Sequence, residues 1–213
     1  MNLPFSHDAF LDVFGAYNAL LWPAVAVLWA TTAVLVLRWM RNGRTDGRDP
    51  FALLAVHWAW SGIAYHWLFF RRINPAAAIF GALFVLQAVL FAWFALTSRA
   101  RFTFDWRPRS ILGGGLIVYG LLYPLVGFGL GLQYPRLPLF AVPCPTTTVT
   151  AGLLITSTGI PRALNVVPIL WAIIGSSAAF VLGIRADLVL AVAAAVLALD
   201  TLLPSALGPR ARA

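Results

Sequence analysis

The chain is predicted to be all-α, a polytopic bundle of transmembrane helices, and three observations carry that prediction. First, 61% of its 213 residues are hydrophobic and only 10% are charged, whereas a soluble domain carries about a quarter charged residues. Second, the apolar residues come in runs near the ~20 residues that cross a ~30 Å hydrocarbon core, joined by short connections. Third, the charges sit at the ends of those runs: all 15 basic residues are arginine and all seven acidic ones aspartate. A single integral membrane domain over 1–213 follows, with no room for a sizeable soluble one.

The elements follow in order. Residues 1–17 are mixed in character and lack the pattern of a signal peptide. Ser6 suits an N-cap and Asp8 the first helical turn. Phe10, Phe14 and Tyr17 then share one helical face, which predicts a short interfacial helix. Spans are expected near 18–38, 51–70, 76–97, 110–131, 146–160, 163–183 and 187–203. Pro23, Pro124 and Pro168 each free a backbone carbonyl inside a span. Gly113 to Gly115, Gly127, Gly129 and Gly131, and the Gly175 to Ala179 segment, read as seams of close helix approach.

The fifth run is the short one. Fifteen residues rise about 22 Å, less than the hydrocarbon core. It holds seven hydroxyls, from Thr146 to Thr158. Arginine bias decides how to count it. With the N-terminus outside and seven crossings, eleven arginines fall inside, and Arg71, Arg72, Arg136 and Arg185 outside. A re-entrant fifth run lowers that split to nine against six, so seven crossings with the C-terminus inside are preferred. Trp22 and Trp67 then mark the outer interface, Trp39 and Trp106 the inner one.

Several functions are excluded. Without lysine there is no retinal Schiff base, and without glutamate no HExxH metalloprotease site. The single Cys144 forms no internal disulfide or CxxC pair. The net charge of +8 reflects topology, with no basic face to bind nucleic acid.

The most unusual stretch is Pro143-Cys144-Pro145-Thr146-Thr147-Thr148, at the outer start of the fifth run. Pro145 at the first helical position would put Cys144 at the N-cap, where the helix dipole favours a thiolate. Cys144, Thr146, Thr147 and Thr148, with His66 and Asn165, are the candidate solute-binding residues. The plainer reading is a proline-stiffened loop whose threonines cap and back-bond the helix. Cys144, His66 and His7 all lie toward the outer side and form a candidate soft-metal set.

His57 and His66 share the second span, about 13 Å apart along its axis and on opposite faces, so they cannot ligate one metal together. His57 is left as a candidate single axial ligand for a pigment. Asp187 is expected to pair with Arg185 at the interface, and Asp200 to snorkel toward Arg210 or Arg212. No cofactor is required by the sequence. No catalytic residue is singled out either.

Four segments carry a resemblance: Phe14 through Tyr17-Asn18 to Trp22-Pro23, AYHWLFFRRINPAA at 64–77, PCPTTT at 143–148 and PILWAIIGSSAA at 168–179. They resemble an uncharacterised family of bacterial multi-spanning membrane proteins, a domain of unknown function. The resemblance implies a one-domain helical membrane protein and supplies no activity. Three functions remain in view. The first is a small-solute or metal-ion transporter or permeation protein of the cytoplasmic membrane. The second is an accessory or assembly subunit whose partners, beyond the lipid bilayer, are other membrane proteins or further copies of itself. The third is an enzyme or sensor using the Cys144 thiol, placed last because no catalytic dyad is assembled in the sequence.

Overall fold

A computed structural model describes residues 4–203, which fold into seven α-helices and one small sheet. The first helix, α1 (His7–Asn42), is continuous over 36 residues, about 54 Å long. A separate interfacial helix at 1–17 is therefore not formed. The predicted signals still act at its start: Ser6 Oγ accepts from Ala9 N at 3.1 Å, Asp8 sits in the first turn, and Phe10, Phe14 and Tyr17 are buried together. Gly43, at φ 70°, ends it in the left-handed conformation that glycine adopts without steric cost.

After β1 (Arg44–Asp46) comes α2 (Arg48–Trp60), which runs on as a π-helix over Ser61–Phe69 and a 3-10 turn over Phe70–Arg72. The widened segment packs closely on α3 (Ala77–Thr97). A methyl group on Gly62 would lie 2.9 Å from the Gly81 carbonyl, and one on Gly81 2.3 Å from Trp67 Nε1. Next come β2 (Arg101–Thr103), α4 (Pro108–Gly129), α5 (Pro143–Thr156) and β3 (Ser157–Thr158). A 3-10 turn at Arg162–Asn165 leads into α6 (Val166–Leu182), and another at Arg185–Leu188 into α7 (Val189–Leu202).

Four stretches among the described residues are long and apolar enough to cross a membrane: His7–Asn42, Ala77–Thr97, Pro108–Gly129 and Arg162–Leu182. Large apolar side chains such as Leu20, Val34, Trp93, Leu125 and Phe180 cover the outside, as expected of a protein whose solvent is lipid.

The helices run between two distinct ends. At one, β1, β2 and β3 pair antiparallel in that order, joining the connections that follow α1, α3 and α5. At the other lie the start of α1, the Phe70–Arg72 turn, the 130–142 connection and the Arg185–Leu188 turn. There Arg136 pairs with Asp8 and Asp12, at 2.9 and 3.0 Å, and Asn18 Nδ2 donates to the Pro135 and Leu137 carbonyls, both at 2.7 Å.

The short fifth helix stands at the centre. Every residue of α5 except the half-buried Cys144 is buried, so its ~21 Å length is enclosed by protein. Three glycines let α4 approach it. A methyl group on Gly113 or Gly152 would fall 2.5–2.6 Å from the other's carbonyl oxygen, and one on Gly120 2.5 Å from Val149 Cγ2. Of the predicted seam, Gly113 makes this approach to α5, joined by Gly120, which the sequence reading did not name, while Gly127 meets Leu137 and Gly175 meets Leu190 closely. Gly115, Gly129 and Gly131 meet nothing.

Two polar side chains inside the bundle answer specific needs. Pro168 cannot donate to the Leu164 carbonyl one turn earlier, and Gln87 Nε2 on α3 donates to it instead, at 3.1 Å. Asp200 on α7 forms a buried ion pair with Arg109 on α4, whose guanidinium also reaches the Ile155 carbonyl at 3.3 Å. The expected partners of Asp200, Arg210 and Arg212, lie outside the described residues. A carboxylate inside the bundle takes the nearest buried cation, which the arrangement of helices supplies and sequence order does not reveal.

A candidate solute cavity at the non-sheet end

Between the start of α1, the end of the π-helix and the ends of α4 and α6 lies a cavity of about 170 Å³. For comparison, an engineered apolar cavity of roughly 150 Å³ holds a benzene molecule. Its walls are aromatic and aliphatic: Phe5, Phe10, Phe14, Tyr65, Phe70, Phe80 and Trp171, with Ile174, Leu182 and Ile184. The aromatic rings brace one another. Phe5 meets Phe70 edge-on at 5.4 Å, Phe10 meets Phe14 at 5.0 Å, and Phe14 stacks on Tyr65 at 5.6 Å.

Three polar side chains meet on this apolar lining. Asp187, 4% exposed, accepts from the Tyr123 hydroxyl and from the Cys144 thiol, and all three line the cavity. The arrangement is built from the backbone outward. Tyr119 and Tyr123 stand one turn apart on α4. Tyr119 Oη donates to the Ala186 carbonyl at 2.8 Å, which fixes the Arg185–Leu188 turn, and Tyr123 takes its carboxylate. Asp187 belongs to this turn, outside the helices. Burial pushes its carboxyl up to about 6, against the opposing pull of the Tyr123 and Cys144 hydrogen bonds.

The expected Asp187–Arg185 pair is therefore not formed. Arg185 instead lines a separate surface pocket with His7. At the start of α5 the N-cap is Val142, so Cys144 lies inside the first turn and not at the N-cap. Pro143 already opens the helix, which moves the thiol to the second helical position.

Of the six candidate solute-binding residues, only Cys144 lines the cavity. The threonines do not line the cavity, and Thr148 follows the plainer reading while Thr147 Oγ1 has no partner among the described residues. Thr148 Oγ1 back-bonds to the Cys144 carbonyl at 2.9 Å, and Thr150 Oγ1 to that of Thr146 at 2.7 Å. Thr146 Oγ1 meets Ser61 Oγ at 3.2 Å, and Thr147 is fully buried. Asn165 sits where α6 begins, and its Nδ2 donates to Thr201 Oγ1 at 2.9 Å. It shares that end of the bundle with Asp200, remote from Cys144.

His66 stands one layer behind the wall. Tyr65, Phe70, Phe80, Phe84 and Trp171 surround its ring at 4.9–6.0 Å, and neither of its nitrogens has a partner among the described residues. His7 is exposed at the surface. His7, His66 and Cys144 thus do not gather into one site, and among the described residues no group of three or more His, Cys, Asp or Glu is placed to hold a metal ion. His57 Nε2 is engaged by Thr32 Oγ1 at 2.8 Å, its Nδ1 has no partner among the described residues, and its ring lies against Phe140 at 5.1 Å, away from the cavity lining.

Sequence reasoning named Asp187 but gave it the wrong partner, and missed Tyr123. The available signal was the pair Tyr119 and Tyr123, spaced i, i+4 in an otherwise apolar run, with a lone aspartate two residues before the last helix.

No curated protein and no solved structure matches the chain. One family model does, over residues 7–212, nearly the whole length, and by that match the chain belongs to DUF6064, a family of unknown function.

Proposed function

We propose that this is a multi-pass protein of the cytoplasmic membrane that binds a small, largely apolar solute at the outer end of its bundle, as the first station of a permeation path. The observation that carries this reading is the aromatic cavity with a buried carboxylate on its wall. An acid kept inside a membrane protein costs folding energy and by default marks a functional site, and concave apolar pockets with a few polar groups are the usual form of small-molecule sites. Seven crossings with the N-terminus outside agree with the arginine distribution. In that frame Arg71, Arg72, Arg136 and Arg185 share the outer face with the cavity, and the small sheet faces the cytoplasm.

Cys144 gives the test, being the only cysteine and part of the cavity wall. Saturating toluene is expected to slow alkylation of Cys144 by N-ethylmaleimide several-fold in the detergent-purified protein. Ala178→Trp, which fills the cavity from α6, is expected to remove that protection. A wild-type thiol that reacts equally fast with and without toluene overturns the reading.

A further inference from the structure

The protein holds two buried acids among its described residues, and they are treated differently. Asp200 faces Arg109. Asp187 has only neutral donors, a phenol and a thiol. Arg136 binds Asp8 and Asp12 at the surface, and Arg185 lines a separate pocket that His7 also borders. An ionised carboxylate accepts at about four lone-pair positions, and two donors leave part of that capacity unused. The rest of the cavity lining is aromatic and aliphatic, with Asn74 as a further polar residue on it.

We propose that the cavity is a site for a small organic cation, an aromatic or branched amine or quaternary ammonium, whose positive charge faces Asp187 and whose apolar part fills the aromatic box. The proposal rests on the solute-binding reading above and names its ligand class. Two forces select such a ligand. The carboxylate in a water-poor cavity attracts a positive charge more strongly than it would in water. Aromatic rings line the cavity, and a ring face attracts a cation within about 6 Å of its centroid, which is how aromatic cages hold quaternary ammonium groups. A neutral molecule of equal shape gains neither. A small anion meets the carboxylate and is repelled.

The test compares two probes of nearly equal shape, benzyltrimethylammonium and its uncharged isostere neopentylbenzene. Each is titrated into the whole purified protein in non-ionic detergent at pH 7.5 by calorimetry. Wild type is expected to prefer the cation by 30-fold or more. Asp187→Asn is expected to keep neopentylbenzene binding, which shows that the cavity is intact, while its preference falls below threefold. Asp187→Glu, which retains the charge, is expected to keep most of the preference and guards against an asparagine variant that fails to fold. Equal binding of the two probes to wild type, or an undiminished preference in Asp187→Asn, overturns the cation assignment and leaves the apolar-solute reading standing. Binding of neither probe overturns both.

Discussion

Asp187 lies in a turn, 4% exposed, with a tyrosine and a cysteine as its hydrogen-bond partners. Burial lifts its folded pKa to about 6, from an ordinary value of 3.8. The sign follows from linkage. Its contribution to stability is complete below about pH 4 and is lost as pH rises through 6, by about 3 kcal/mol at most. Asp187→Asn is therefore expected to raise the thermal midpoint of the detergent-solubilised protein at pH 8, with the gain shrinking toward pH 4. A midpoint that falls at both pH values would mean that the carboxylate stabilises the turn. Cys144 illustrates how sequence and structure diverge at this scale. Its residue type and its place at the start of the fifth helix were legible, because Pro-Cys-Pro cannot continue an upstream helix. Its partner was not, because Asp187 is 43 residues later and is joined to it only by the order of helices around the bundle.

Among the elements, α5 is held by contacts that no local pattern announces. Gly113 was legible as part of a small-residue seam, but only the structure pairs it with Gly152 and adds Gly120. The hydroxyl-rich character of α5 read as an oddity in a membrane span. It is accounted for by full enclosure: Trp58 Nε1 donates to Thr150 Oγ1 at 2.8 Å, and the other threonine hydroxyls that bond turn to backbone carbonyls or to Ser61. The helical runs after the first were legible to within a few residues because apolar length is a one-dimensional property, whereas the first, read as 18–38, begins at His7. The π-helical Ser61–Phe69 segment was not, since it depends on how α2 packs against α3. The Arg109–Asp200 pair ties α4 to α7 beside the end of α5. Arg109→Met is expected to cost about 3–5 kcal/mol, the range for removing one partner of a buried pair. Arg109→Met combined with Asp200→Leu is expected to recover most of it. The midpoints of the single and double variants check this, and additive losses would show that the two charges do not depend on each other.

For the molecule as a whole, the proposed topology makes the sheet end cytoplasmic and the cavity end external. Trp106, 93% exposed beside β2, is a suitable reporter. In a Cys144→Ser background, Trp106→Cys is expected to react with a membrane-impermeant maleimide in inverted vesicles and to be protected in intact spheroplasts. The reverse pattern would turn the protein over. The two ends also differ mechanically. At one, three strands stitch together the connections after α1, α3 and α5, and the Gly47 N–H to Ala100 carbonyl bond, 2.7 Å, extends the stitching. At the other, the cavity is closed mainly by aromatic side chains from a helix start and from turns, Phe5 and Phe70 among them. Ring contacts slide at little energetic expense, whereas a ladder of backbone bonds in a lipid setting does not. The bundle is thus laced by backbone bonds at one end and held at the other by ring contacts, the Arg136 pairs and the Asn18 bonds, and on the proposed reading solute enters at that second end.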